Sequence, residues 1–355
     1  MSVSAFHEAP SQGLLIDSSP SLPNIMHLLE PRNSREHVEA FAAAVRAGLS
    51  REPKTLPFEY FYDDEGSRLF EAICKLPEYY VTRTEDAILR RHAPDMVKCL
   101  RRADGPLGEP TLVELGSGSA VKTRRLLAAA LKRCGRLDYV PIDVSASALE
   151  ESAGQLARKF PGLGITGYVA DYRRGLERIM ATAAGPRLIV FLGSSLGNYT
   201  MEGASDLLSM IGGLMGESDR LLLGTDMAKD APLLEAAYDD SMGVTAAFNL
   251  NLLHRMNREL AADFRPDGFR HRAVYRPDRG RVEMHLVSLR DQSVQIPAAR
   301  IAVRFREGET IHTESSHKYT LGMLAELRGA AGFVEESAWT DHRGWFRLQL
   351  WRRAG

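Results

Sequence analysis

The sequence predicts an α/β protein built on a parallel sheet of the nucleotide-binding kind, with a smaller α+β region set into it. Three observations carry this. First, Leu112-Val113-Glu114-Leu115-Gly116-Ser117-Gly118-Ser119 is an apolar run that ends in an acid and breaks into glycines, and Thr123 to Leu131 then supplies strong helix formers. Strand, glycine turn and helix in that order open such sheets. Second, four more strand-like runs follow with room for a helix between each pair: Tyr139–Asp143, Gly167–Tyr172, Leu188–Gly193 and Leu221–Asp226. Third, the rhythm changes after Asp226. Leu233 to Leu260 reads as mainly helical, and Val274–Tyr275, Val282–Leu289 and Ile301–Phe305 alternate as strands.

The remaining elements follow in order. MSVSAFHEAPSQGLLIDSSPSLP is rich in Ser and Pro and lacks the basic-then-apolar order of a signal peptide, so a flexible tail is expected over 1–30. Arg35 to Leu49 reads as an Ala-rich amphipathic helix ending near Gly48. Phe58 to Ser67 is dense in aromatics and acids and turns at Gly66; the next helix puts Leu69, Phe70, Ile73 and Leu76 on one face and stops at Pro77. Thr82 to Glu85 has the T-x-x-E form of a capping box, and a helix through Met96 and Leu100 leads to a linker at Gly105 to Pro110. At the far end Leu321 to Leu327 reads as a helix, with Phe333–Val334 and Trp345–Trp351 as a closing antiparallel hairpin.

Composition narrows the class. The chain has 355 residues, 44% hydrophobic and 26% charged, with a net charge of −1, which gives none of the basic excess that nucleic-acid binding requires. No apolar run approaches the roughly 20 residues of a membrane span. Cys74, Cys99 and Cys134 lack metal-ligand spacing and are odd in number, which fits reduced thiols in a cytoplasmic protein without a metal site.

The glycine loop sets the first functional choice. A dinucleotide fingerprint wants a third glycine where Val121 stands, which disfavours a nicotinamide dehydrogenase. An acid before G-x-G more closely resembles the first motif of class I S-adenosylmethionine methyltransferases, in which that acid, here Glu114, faces the methionine part of the cofactor. Two acids at later strand ends suit adenosine: Asp143 can accept both ribose hydroxyls, and Asp171 the adenine amino group. Either acid alone reads equally as a turn residue. Phe191 to Asn198 sits where amino-methyltransferases hold the acceptor nitrogen, although Asn198 can also simply cap the next helix.

Longer blocks carry a narrower resemblance. Phe61-Tyr62-Asp63-Asp64, Leu76-Pro77-Glu78-Tyr79-Tyr80 with Thr82-Arg83-Thr84-Glu85, Phe191 to Asn198, Ala237-Tyr238-Asp239-Asp240, Asn257-Arg258-Glu259-Leu260 and Thr313-Glu314-Ser315-Ser316 resemble the ergothioneine-pathway L-histidine Nα-methyltransferases over roughly residues 35 to 350. The resemblance implies a Rossmann-like class I methyltransferase domain over 84–228 and 318–355, and an α+β substrate-binding domain formed by the N-terminal region and the insertion, 31–83 and 229–317. It implies Asn198 at the substrate amine and carboxylate, Tyr238 as a second carboxylate ligand, Tyr79, Glu314 and Ser316 at the imidazole, and Tyr62, Gly193 and Met284 lining the pocket. For the cofactor it implies Gly116, Gly118, Lys122, Asp143, Asp171 and Tyr172.

The expected activity is therefore S-adenosylmethionine-dependent trimethylation of L-histidine to hercynine, by a monomer that binds neither nucleic acid nor membrane. Asn198 and Tyr62 stand nearest the chemistry; Tyr62 or solvent can take the amine proton, and the residues do not decide between them. Two alternatives remain open: a methyltransferase for tryptophan or an indole-derived amine, and a non-catalytic cofactor-binding protein. Outside the resemblance, Glu314 and Ser316 read equally as exposed positions on a strand, and Tyr79 as part of the core.

Overall fold

The computed structural model describes residues 23–29, 34–100, 109–181 and 185–355. In chain order its elements are β1 (Asn24–His27), α1 (Arg35–Leu49), β2 (Lys54–Thr55), α2 (Asp64–Ile73), α3 (Tyr80–Met96), β3 (Thr111–Leu115), α4 (Arg124–Cys134), β4 (Leu137–Asp143), α5 (Ala146–Lys159), β5 (Leu163–Val169), α6 (Tyr172–Met180), β6 (Arg187–Phe191), α7 (Met201–Leu214) and β7 (Arg220–Asp226). The inserted region supplies α8 (Ala231–Tyr238), α9 (Val244–Leu260), β8 (Phe269–Arg276), β9 (Arg281–Ser288), β10 (Gln292–Ile296), β11 (Ile301–Phe305) and β12 (Thr310–His317). The chain closes with α10 (Leu321–Ala330), β13 (Phe333–Thr340) and β14 (Phe346–Arg353).

The main sheet has eight strands in the order β1-β5-β4-β3-β6-β7-β14-β13. β3 to β7 run parallel, and the order reverses at β3, between β4 on one side and β6 on the other. That switch point is where an open α/β sheet binds ligands, beyond the carboxyl ends of its strands. β14 lies antiparallel between β7 and β13, as the expected closing hairpin requires. Alternate residues feed two cores: Leu112, Leu188, Val190 and Leu222 pack on one face, and Val113, Ile189, Phe191 and Leu223 on the other. Both faces are covered, which is why these strands read as unbroken apolar runs.

A second sheet, β2-β12-β9-β8, joins the N-terminal region to the insertion, because β2 pairs parallel with β12 at Ile311 and His312. One continuous core links this unit to the main sheet, running from Leu112 and Leu222 to Phe248, Met284 and Ile311. Among the described residues no helix is long and apolar enough to cross a membrane, and no cluster of His, Cys, Asp or Glu is arranged to hold a metal.

Three expectations need correction. The tail expected over 1–30 includes a strand, since Asn24–His27 pairs parallel with β5 at the sheet edge; residues 1–22 and 30 lie outside the described residues, as does most of the expected linker. The helix expected to stop at Pro77 ends at Ile73. The Thr82/Glu85 box caps nothing, because α3 already begins at Tyr80. Glu85 lies a turn inside the helix, where its buried carboxylate reaches across the structure.

Candidate active site

The glycine loop comes first. Gly116 and Gly118 take φ of 69° and 47°, which side chains other than glycine rarely adopt, and a methyl group at Gly116 would stand 2.8 Å from the Tyr172 hydroxyl. Space around Gly118 is open. The Asp143 carboxylate is held at the loop by two backbone donors, Gly118 N–H to Oδ2 at 2.8 Å and Ser145 N–H to Oδ1 at 2.8 Å. The Ser117 hydroxyl is buried without a hydrogen-bond partner among the described residues. Asp171 is the N-cap of α6, accepting from Arg174 N–H at 2.9 Å, so the turn role and the ligand role fall on one residue. Beside it opens a cavity of about 270 Å³, lined by Asp171, Tyr172, Tyr199, Leu207 and Met210 among others.

Two residues expected at the cofactor are committed within the protein. Glu114 accepts from Thr123 Oγ1 and from the Tyr139 hydroxyl, and burial pushes its carboxyl up to about 7. It braces the loop from behind. Lys122 pairs with the fully buried Glu85, whose attraction outweighs the cost of burial and raises the ammonium. Glu85 also accepts the Gly193 N–H, at 2.9 and 3.1 Å, and so ties α3, the glycine loop and the turn after β6 together.

That turn carries Gly193 to Asn198. Ser194 sits in the left-handed region at φ 59°, with its hydroxyl accepting from Asp226 N–H at 2.9 Å. Gly197 accepts from His317 Nδ1 at 3.0 Å and lies against the His317 backbone, which locks the turn to the end of β12. Asn198 ends a 3-10 turn there, half-buried, and its carboxamide makes no hydrogen bond to another described residue.

Five aromatic rings cluster from α2, α8, α9 and the segments before α2 and α3. Tyr79 meets Tyr238 edge to face at 6.1 Å and Phe70 at 6.3 Å, while Tyr62 meets Phe70 at 5.7 Å and Phe248 at 5.9 Å. Glu314 and Met284 are register partners on β12 and β9, buried to 8% and 2% exposure. The Glu314 carboxylate receives no hydrogen bond from a described residue, and burial, partly offset by Lys318, pushes it up to about 7. Tyr62 is raised well above the ordinary tyrosine value, by burial and then by Glu314, Tyr172, Cys74 and Asp143. It therefore lies within electrostatic reach of both the glycine-loop side and Glu314, and it stays a neutral phenol.

Ser316, expected at the imidazole, is buried and bonded within the protein. It accepts from Lys318 Nζ at 3.0 Å and from the Tyr238 hydroxyl at 2.8 Å. Lys318 also donates to Tyr238 at 2.8 Å and to Asp226 at 2.8 Å, and Asp226 accepts from Tyr80 and Lys229 as well. Sequence reasoning missed Glu85, Lys318, Lys229 and Tyr80. Asp226 left a signal, an acid at a strand end like Asp143, while Lys318 lies two residues after Ser316 with nothing to mark it.

Comparisons with known proteins bear on this arrangement. A family model described as histidine-specific methyltransferase, SAM-dependent, matches residues 41–353. A histidine N-alpha-methyltransferase of Mycolicibacterium smegmatis is 42% identical over 313 residues, 88% of this chain and 94% of that protein. Its counterpart in Mycobacterium tuberculosis is 43% identical over 306 residues, 86% of this chain and 92% of that one. An L-tryptophan methyltransferase of Psilocybe serbica is 28% identical over 356 residues, 92% of this chain and 97% of that protein.

Proposed function

From the premise that the chain belongs to the histidine-specific, S-adenosylmethionine-dependent methyltransferase family, we propose that it methylates the α-nitrogen of free L-histidine three times, giving hercynine. The observation that carries the substrate is Glu314: a buried carboxylate to which no described residue donates a hydrogen bond, within electrostatic reach of Tyr62, Tyr79 and Tyr238. An imidazole N–H supplies the missing donor. A phenyl ring would leave that carboxylate unpaired, and a site with unpaired polar groups discriminates strongly.

The residues present fit the cofactor. Open space at Gly118, the Ser117 hydroxyl and the Asp143 carboxylate held at the loop suit a ribose, and the Asp171 cavity, with its aromatic and aliphatic walls, suits a purine. Bound there, S-adenosylmethionine supplies an electrophilic sulfonium methyl.

The protein's part is positioning. Asn198 offers a donor and an acceptor to the amine and carboxylate, Tyr238 a hydroxyl to the carboxylate, and Tyr62 a neutral phenol between the two halves of the site. Holding nitrogen and methyl in line supplies most of the rate. Tyr62 does not take the amine proton, since burial holds its own, so the proton of each round leaves to solvent. Residues 31–83 with 229–317 are the histidine-binding unit, and 84–228 with 318–355 the cofactor unit. The free thiols at Cys74, Cys99 and Cys134 fit a cytoplasmic protein. Incubation with S-adenosylmethionine and each amino acid, followed by mass spectrometry, tests the reading: histidine should gain three methyl groups, and a product from another amino acid alone would overturn it.

A further inference from the structure

Lys318 follows β12 directly and is fully buried. Its three ammonium hydrogens go to Asp226 Oδ2 at 2.8 Å, the Tyr238 hydroxyl at 2.8 Å and Ser316 Oγ at 3.0 Å. None remains for a ligand, so Lys318 can act only through its neighbours.

Asp226 is shared with a second ammonium, Lys229, and the three side chains have exposures of 0%, 0% and 6%. Beyond ion-pair distance, Asp341 also acts on Lys229, and Lys318 acts on Glu314. Burial pushes Lys229 down to about 8, with Asp226 and Asp341 resisting the fall and Lys318 adding to it, whereas Asp226 raises Lys318. An ammonium buried this deeply polarises the groups it bonds.

Two hydroxyls take the other hydrogens of Lys318. Tyr238 and Ser316 both accept from Lys318 and stand 2.8 Å apart, so one donates to the other and a single hydroxyl hydrogen is left for a ligand. Polarised by the ammonium behind it, that hydrogen is a strong donor.

We propose that Lys318 is the countercharge for the substrate carboxylate, acting through Tyr238 and Ser316, so that the site takes an amino acid and discriminates against the amine bearing the same ring. The proposal rests on the histidine reading above. It makes Lys318 a positioning and specificity residue rather than a catalytic one.

The test compares histidine with histamine in the wild type and in Lys318→Met, with S-adenosylmethionine affinity checked by calorimetry to establish folding. The variant should lose about tenfold to a hundredfold in kcat/KM on histidine, the range for a hydrogen bond to a charged group, and much less on histamine, which shares the ring but lacks the carboxylate, so the ratio falls. Equal losses on both substrates mark a merely structural lysine and overturn the proposal. Should the variant not fold, wild-type turnover of histidine and its methyl ester decides, since equal use of acid and ester also overturns it. A wild type inactive on histidine would sink the substrate assignment instead. Calorimetric binding of histidine and histamine, with S-adenosylhomocysteine present, would then still read the carboxylate preference, and equal affinities would overturn the role of Lys318.

Discussion

Glu314→Gln should make the protein more stable and less active at once. Burial, partly offset by Lys318, lifts the Glu314 carboxyl from 4.5 to about 7 in the folded chain. The folded state then holds a proton that the unfolded state releases, so stability falls as pH rises from about 4.5 to about 7 and stays lowered above that. At about 1.4 kcal/mol for each tenfold change in proton affinity, the full penalty is about 3 kcal/mol, of which about 2.5 accrues between pH 5 and pH 8. Glutamine keeps the shape and removes the titration. Urea unfolding of both proteins at pH 5, 6, 7 and 8, without histidine, should show the variant gaining on the wild type as pH rises. The absolute difference also contains the cost of a buried amide; the change with pH does not. The same substitution should lower kcat/KM on histidine, because an amide is a weaker acceptor than a carboxylate for the ring N–H. Stability curves that run parallel from pH 5 to pH 8 would refute the burial argument.

Asp143→Ala removes the acceptor held by Gly118 and Ser145, and calorimetry should show S-adenosylmethionine affinity reduced by about 1.5–3 kcal/mol; unchanged affinity in a folded variant would contradict the ribose assignment. Asn198→Ala should raise the KM for histidine steeply and leave cofactor affinity intact, and a parallel loss of both would assign Asn198 to the fold alone. Gly224→Ala places a methyl group 2.3 Å from Glu85 Oε1, so Tm and turnover should fall together, with overpacking costing about 1–3 kcal/mol; a variant as stable as wild type would mean that Glu85 is not fixed at Gly193.

Local pattern made most of the main sheet legible. Strands buried on both faces announce themselves as apolar runs, and Glu114, Asp143 and Asp171 mark the ends or exits of β3, β4 and β5. The T-x-x-E box misled because a cap and a buried i+3 acid share one sequence pattern; only tertiary context sends Glu85 to Lys122 and Gly193. The edge strand at Asn24–His27 was hidden for a similar reason, since its order depends on pairing with β5, more than 130 residues away. The substrate pocket was legible only through long blocks resembling a known family. Glu314 and Ser316 look like exposed strand positions until β9 covers one side and Tyr238 and Lys318 arrive from elements far apart in sequence.

The central claim is that a buried carboxylate selects an imidazole. Its most direct test is the ratio of kcat/KM for histidine to that for tryptophan, measured in the wild type and in Glu314→Ala. The wild type should prefer histidine, and the variant should lose about tenfold to a hundredfold on histidine while its activity on tryptophan holds or rises, as the group that penalises an apolar ring is gone. An unchanged ratio would remove Glu314 from ring recognition, and a wild type that prefers tryptophan would contradict the assignment outright.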